Sequence, residues 1–133
     1  MAENIKFEVV TPEKLVVNEN AQIVVAPGAL GEFGILSGHT PFLSTLKTGV
    51  IRYTDEQGKE HYVFVSGGFA EALPDRVTVL AESAERKRDI DKERAEDSLK
   101  RAQERLAQGK RDNDIIRAEA ALQRAIWRLK MIG

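Results

Sequence analysis

Up to about residue 84 apolar and polar positions alternate. Ile5, Phe7 and Val9 are interleaved with Lys6 and Glu8, and Val50, Arg52, Tyr62, Phe64, Val77 and Val79 sit in similar β-branched or aromatic runs. A period of two sends successive side chains to opposite faces of a strand, as in a sheet with one buried face and one wet face. Turn-forming residues interrupt the runs at short intervals: "TPE" at 11, "APG" at 26, "SGH" at 37, "KTG" at 47, "DEQGK" at 55, "SGG" at 66 and "LPDR" at 73. Short strands with frequent turns predict an antiparallel β-sandwich or flattened barrel of about ten strands.

After "VTVLAES" the period becomes helical. Ala95, Leu99, Ala102 and Leu106 step by four, three and four, and Ile115, Ala118, Leu122, Ala125, Leu129 and Ile132 continue in threes and fours. These stripes predict amphipathic helices over 91–108 and 114–132. Asp89 suits the first N-cap, with Asp91 and Glu93 in the positive first turn. "GKRDND" at 109–114 supplies a breaker and then capping residues. So short a linker predicts an antiparallel helical hairpin. The chain divides into a sandwich domain, 1–84, and a hairpin domain, 85–133.

A hairpin of about 45 residues buries too little surface to stand alone, so it needs something to dock on. Its seam is rich in alanine at 95, 102, 118 and 125. Two readings fit. Alanines bury little, so the seam opens at modest cost; equally, they let the two helices approach closely.

At 133 residues the chain holds one good core, or one core with a small appendage, and it has no cysteine. That excludes a disulfide framework, a thiolate metal site and a cysteine nucleophile. No apolar run approaches the roughly 20 residues of a membrane-spanning helix, and "MAENIKFEVV" lacks a basic region followed by an apolar stretch. A soluble, cytosolic protein is expected, at most peripheral to a membrane and without direct insertion. Charge is uneven. Residues 1–84 carry 11 acidic and 6 basic side chains, whereas residues 85–133 carry 10 acidic and 14 basic.

Enzymatic motifs are scarce. No G-x-x-x-x-G-K-[ST] loop is present, and His39 and His61 lie far apart in the chain without clustered ligands, so neither a catalytic residue nor a metal site is assigned. Ser66 in "FVSGGF" reads as part of a tight hairpin turn. His39, in "GEFGILSGHTPFL", lacks a partner acid or nucleophile and reads as a loop histidine that bonds backbone or meets a partner. The hairpin carries the more specific chemistry. Arg94 and Arg101 are two helical turns apart and share a face, as do Arg124 and Arg128 one turn apart, and folding at the linker brings position 94 back opposite 128. Converging guanidiniums suit a phosphate; surface ion pairs with Glu93, Asp97 and Glu119 are the other reading. Nucleic acid is disfavoured as a partner, because aromatics are not interleaved with these arginines.

The order "FEVVTPE", "GEFGILSGHTPFL", "SGGFAEALPDRVTVLAE" and then an arginine-rich helical hairpin resembles the epsilon subunit of bacterial F-type ATP synthase over essentially the whole chain. The resemblance implies a non-catalytic rotor subunit of the central stalk, coupling ion flow to ATP synthesis. Its sandwich would contact the gamma subunit and the c-subunit ring at the cytoplasmic face of the bacterial inner membrane. It also implies a mobile hairpin, permissive when folded and inhibiting ATP hydrolysis when extended into the catalytic alpha/beta head. Glu32 and His39 match the loop that faces the c ring, with Ser37 where many members carry proline. Ile90-Asp91-x-x-Arg94-Ala95 matches an ATP-binding motif, and Glu85, Arg101, Arg124 and Arg128 match the accompanying positions. Ile90 and Asp91 would lie near the adenine and the arginines near the phosphates. No cofactor is required; the ATP would regulate. The alternative is a stand-alone nucleotide-sensing module.

Overall fold

The computed structural model describes residues 3–109 and 112–133, with Asp112 and Asn113 described by their backbone alone. Two compact units divide the chain, residues 1–86 and 87–133.

The first unit is β1 (Ile5–Val10), β2 (Leu15–Gly28), β3 (Gly31–Leu36), β4 (Phe42–Thr45), β5 (Gly49–Asp55), β6 (Glu60–Ser66), β7 (Phe69–Leu73), β8 (Arg76–Leu80) and β9 (Ser83–Arg86). The nine strands run in the order β4-β7-β8-β1-β2-β5-β6-β9, with β3 on the far half of β2. This gives the expected sandwich with nine strands among the described residues. Pairing is antiparallel except for β1 with β8, which are parallel. Local patterning carries no information about such a pair, because its members lie at opposite ends of the domain's sequence.

Alternation decides the core. Ile5, Phe7 and Val9 are fully buried on β1, as are Val77 and Val79 on β8 and Val63 and Val65 on β6, and Tyr53 is the largest fully buried side chain. The ring of Tyr53 meets that of Phe7 at 5.0 Å.

Two turn expectations shift. Pro27 and Gly28 of "APG" lie inside β2, and the turn falls on Ala29 and Leu30. "SGG" is a corner and not a hairpin: Ser66 ends a strand that pairs with β5 and β9, whereas Phe69 starts one that pairs with β4 and β8. Gly68 turns this corner at φ 107°, and a Cβ there would collide with the carbonyl oxygen of Leu80. The strand domain also continues past residue 84, because Glu85 and Arg86 still pair with Phe64 and Val63.

The second unit is a 3-10 turn, Lys87–Asp89, followed by α1 (Lys92–Gln108) and α2 (Asp112–Ile132), which pack together. Asp91, not Asp89, caps α1, its carboxylate accepting from the Arg94 amide at 3.1 Å. Asp89 is spent in the 3-10 turn. Gly109 closes α1 in the left-handed region at φ 51°. The rest of the expected linker falls on Lys110 and Arg111, outside the described residues, and α2 begins two residues earlier than its stripe suggested. Ala95, Ala102, Ala118 and Ala125 are all buried, while Leu99, Leu106, Leu122 and Leu129 are half-buried beside them. Seam centres made of alanine bring helix axes close, in keeping with the close-approach reading of the seam.

The two kinds of glycine give a stability test. Gly58 has φ 83° with open space around it, so Gly58→Ala is expected to cost only the left-handed conformation, about 1 kcal/mol. Gly68→Ala adds the collision and is expected to cost about 3 kcal/mol or more in urea unfolding. Equal costs would contradict the corner geometry.

Candidate functional site

Strand alternation makes one face of the sandwich unusual. Ala70, Ala72, Val77 and Val79 point inward on β7 and β8, which leaves Phe69 and Leu80 outward, 49% and 52% exposed. The register puts Phe69 opposite Leu80, Leu80 opposite Val10, and Val10 opposite Leu15, itself 52% exposed. Four apolar side chains thus form one row across β7, β8, β1 and the start of β2. Outward positions of a wet sheet are ordinarily polar, so a continuous apolar row marks a contact surface. The sequence held a signal for it, in apolar residues on the wrong side of the alternation in "FAEAL" and "RVTVL".

The loop bearing His39 joins the end of β3 to the start of β4, whereas Glu32 lies within β3 and not in that loop. Gly38 donates to the Pro74 carbonyl at 2.7 Å, and His39 N–H to the Leu36 carbonyl at 3.2 Å. The His39 ring has Nδ1 2.7 Å from the Thr40 carbonyl and lies 5.0 Å from the Phe42 ring, which in turn meets Phe33. His39 is therefore half-buried and tied to backbone, the bland reading of its chemistry. Glu32, exposed on β3, is paired with Arg52 at 2.8 Å. Leu30 stands fully exposed at the β2–β3 turn.

The hairpin residues fall into separate groups. Glu85 belongs to β9 in the first unit, whereas Ile90 lies half-buried just before α1 and Asp91 caps it. Ala95 is buried in the seam, so it packs rather than presents chemistry. Arg94 and Arg101 each immediately precede a buried seam alanine on α1, and Arg124 precedes Ala125 on α2. Antiparallel helices bring the positions preceding the seam on one helix to the same side as those on the other, so Arg94, Arg101, Arg124 and Arg128 share one flank. Arg101 donates to Ser98 Oγ at 3.1 Å. Among the described residues no ion pair joins Arg94, Arg101 or Arg124 to Glu93, Asp97 or Glu119. Trp127 and Arg128 are half-buried, with Lys130 Nζ 4.8 Å from the indole centroid.

One open end of the sandwich is polar, and pattern alone gave no sign of it. A groove of about 410 Å³ there is lined by Lys6, Asn18, Glu19, Asp55, Glu56 and His61, among others. His61 Nε2 lies 2.7 Å from Asp55 Oδ2 and the imidazole stacks on Tyr53 at 4.9 Å. The hydrogen bond from His61, followed by the Lys59 backbone amide, holds the Asp55 carboxyl below its ordinary value. Burial pushes the Tyr53 hydroxyl up to about 12, against the pull of Arg86. Among the described residues no cluster of His, Cys, Asp or Glu is arranged to hold a metal, and no helix is long and apolar enough to cross a membrane.

Comparison with known proteins decides the family. Residues 4–87 match the ATP synthase delta/epsilon chain β-sandwich domain, and residues 88–133 match the long α-helix domain of the same chain. The chain belongs to the ATP synthase delta/epsilon family. It is 63% identical over 109 residues to the ATP synthase epsilon chain of Desulfosudis oleivorans, covering 82% of each chain. It is 53% identical over 108 residues to that of Carboxydothermus hydrogenoformans, covering 81% of this chain and 80% of the relative. In fold it resembles a chain of the Euglena gracilis mitochondrial ATP synthase, with TM-score 0.80, 24% identity, and coverage of 92% of this chain and 78% of the other. Membership of this family makes the chain a subunit of the ATP synthase complex and not a catalytic one.

Asp55 offers a pH test. A carboxyl whose folded value is depressed contributes stability that is complete above its ordinary 3.8 and is lost as pH falls through the lower folded value. The stability difference between the wild-type chain and Asp55→Asn should therefore hold down to about pH 5 and shrink below about pH 4. A difference unchanged down to about pH 2 would contradict the Asp55–His61 pairing.

Proposed function

We propose that the chain is a rotor subunit of the bacterial central stalk whose sandwich binds the gamma subunit through the apolar row Phe69–Leu80–Val10–Leu15. The row carries the reading: it runs without a break across four strands, with Phe69, Leu80 and Leu15 exposed and Val10 half-buried between them, as the apolar centre of an interface requires. A fold relative from Tetrahymena thermophila was solved as part of a mitochondrial central stalk and c-ring, with TM-score 0.61. By the same reading Glu32 on β3 and His39 in the loop after it face the c ring. The complex then holds the subunit at the cytoplasmic face of the inner membrane, and its sandwich couples rotation of the ring to ATP synthesis in the alpha/beta head. Leu80→Asp should weaken binding to purified gamma subunit about 30-fold or more while leaving the chain folded. Binding at wild-type strength would overturn the interface. Failure of the wild-type chain to bind gamma at all would favour the stand-alone nucleotide sensor.

The finer reading concerns the hairpin. Its shared arginine flank supports a regulatory ATP, held by Arg94, Arg101, Arg124 and Arg128 at the phosphates and by Ile90 and Asp91 at the adenine, with Ala95 packing the seam behind them. A ligand that binds only the folded hairpin shifts the population toward it and so relieves inhibition of ATP hydrolysis. Trp127, the single tryptophan, lies between Arg124 and Arg128 in the sequence. ATP at millimolar concentration should change its fluorescence, and Arg94→Ala combined with Arg128→Ala should abolish the change. An unaltered wild-type spectrum would remove the nucleotide from the mechanism.

A further inference from the structure

β9 is the weak point of the sandwich. It is four residues long, lies at the end of the strand order, and among the described residues pairs only with β6. Short edge strands fray readily, because few ladder bonds hold them. This one is also the strand from which the helical unit departs.

Its last residue makes up for its length. On β9, Ala84 is buried in the core and Arg86 shares its face, whereas Glu85 points the other way. The Arg86 side chain, only 17% exposed, enters the polar end of the sandwich. There Nε donates to the Val16 carbonyl at 3.2 Å, Nη1 to the Tyr53 hydroxyl at 3.0 Å, and Nη2 to Glu19 Oε1 at 3.2 Å. Tyr53 closes the ring by donating to Glu19 Oε2 at 3.1 Å. Each guanidinium nitrogen thus meets a different acceptor, two on β2 and one on β5. Lysine, with one nitrogen, cannot reproduce this fork. Tyr53 is itself held between the rings of Phe7 and His61.

Beyond Arg86 the chain changes character. Lys87, Arg88 and Asp89 are all exposed, and the turn they form closes through one backbone bond, Ile90 N–H to the Lys87 carbonyl at 3.3 Å. Order resumes at Asp91, the cap of α1.

We infer that Arg86 is a clamp that fixes the end of the strand domain, so that any movement of the hairpin turns on residues 87–91. The clamp stands on its own geometry; its use as the fixed side of a pivot rests on the mobile hairpin proposed above. Without it, pulling on the hairpin would peel β9 from β6 and carry Glu85 away with the helices.

Hydrogen exchange on the full chain tests this. In the wild type the amides of 83–86 that bond to β6 should be protected while those of 87–90 exchange quickly. Arg86→Ala should speed exchange in β9 about tenfold or more and leave β1 and β8 protected, which shows that the domain is still folded. Tyr53→Phe, which keeps the ring and removes only the hydroxyl, should give a smaller rise confined to β9. The clamp is overturned if wild-type β9 exchanges as fast as 87–90, or if neither variant alters it. Protection that behaves as expected in a chain whose Trp127 ignores ATP would uphold the clamp and sink the nucleotide reading alone.

Discussion

The sandwich depends on β2. At fourteen residues it is too long to belong to one flat layer, and it carries ladders to β1, β3 and β5. Its first half pairs with β1 and its second half with β3, while the register to β5 slips between Ala21 and Ile23. An irregularity of this kind bends a strand and strengthens its twist. The bend lets one strand serve both layers, so the apolar row on β7-β8-β1, the loop after β3 and the polar end around Tyr53 are all referred to one rigid element.

A rigid scaffold suits the interface proposed above. The outward row is presented by strands whose inward residues, Val77, Val79, Ala70 and Ala72, are fully buried. Side chains fixed on such a scaffold lose little conformational freedom on association, and that raises the useful share of the buried area. The hairpin is built on the opposite plan. Its buried seam residues are alanines, with Met131 the one larger buried side chain among the described residues. Alanine gives little transfer free energy per residue but close contact, so close approach of the helices, flanked by half-buried leucines, defines the geometry of the pair.

Polar groups do different work in the two units. In the sandwich the Arg86–Tyr53–Glu19 ring closes on itself, each donor meeting an acceptor, which is the condition for a part-buried charge to stabilise rather than strain a fold. On the hairpin the arginines sit on a shared flank, and among the described residues none of Arg94, Arg101 and Arg124 forms an ion pair with Glu93, Asp97 or Glu119. Guanidiniums in that arrangement favour an anion from outside the chain.

The sequence by itself determined the switch from period two to helical period, the interior faces of the strands, the alanine seam and the family, because each is written in residues a few positions apart or in motifs read whole. It did not determine that β1 pairs in parallel with β8, that "SGG" turns a corner, or that Asp91 rather than Asp89 caps α1. Its alternation left Phe69 and Leu80 on outward positions but did not align them with Val10 and Leu15, and nothing in it showed that Arg86 reaches Glu19 and Tyr53. Those were decided by tertiary structure. The reason is physical: ladder register and the filling of a sandwich's open end are set by residues tens of positions apart, whose meeting depends on the packing of the whole sheet and leaves no local trace.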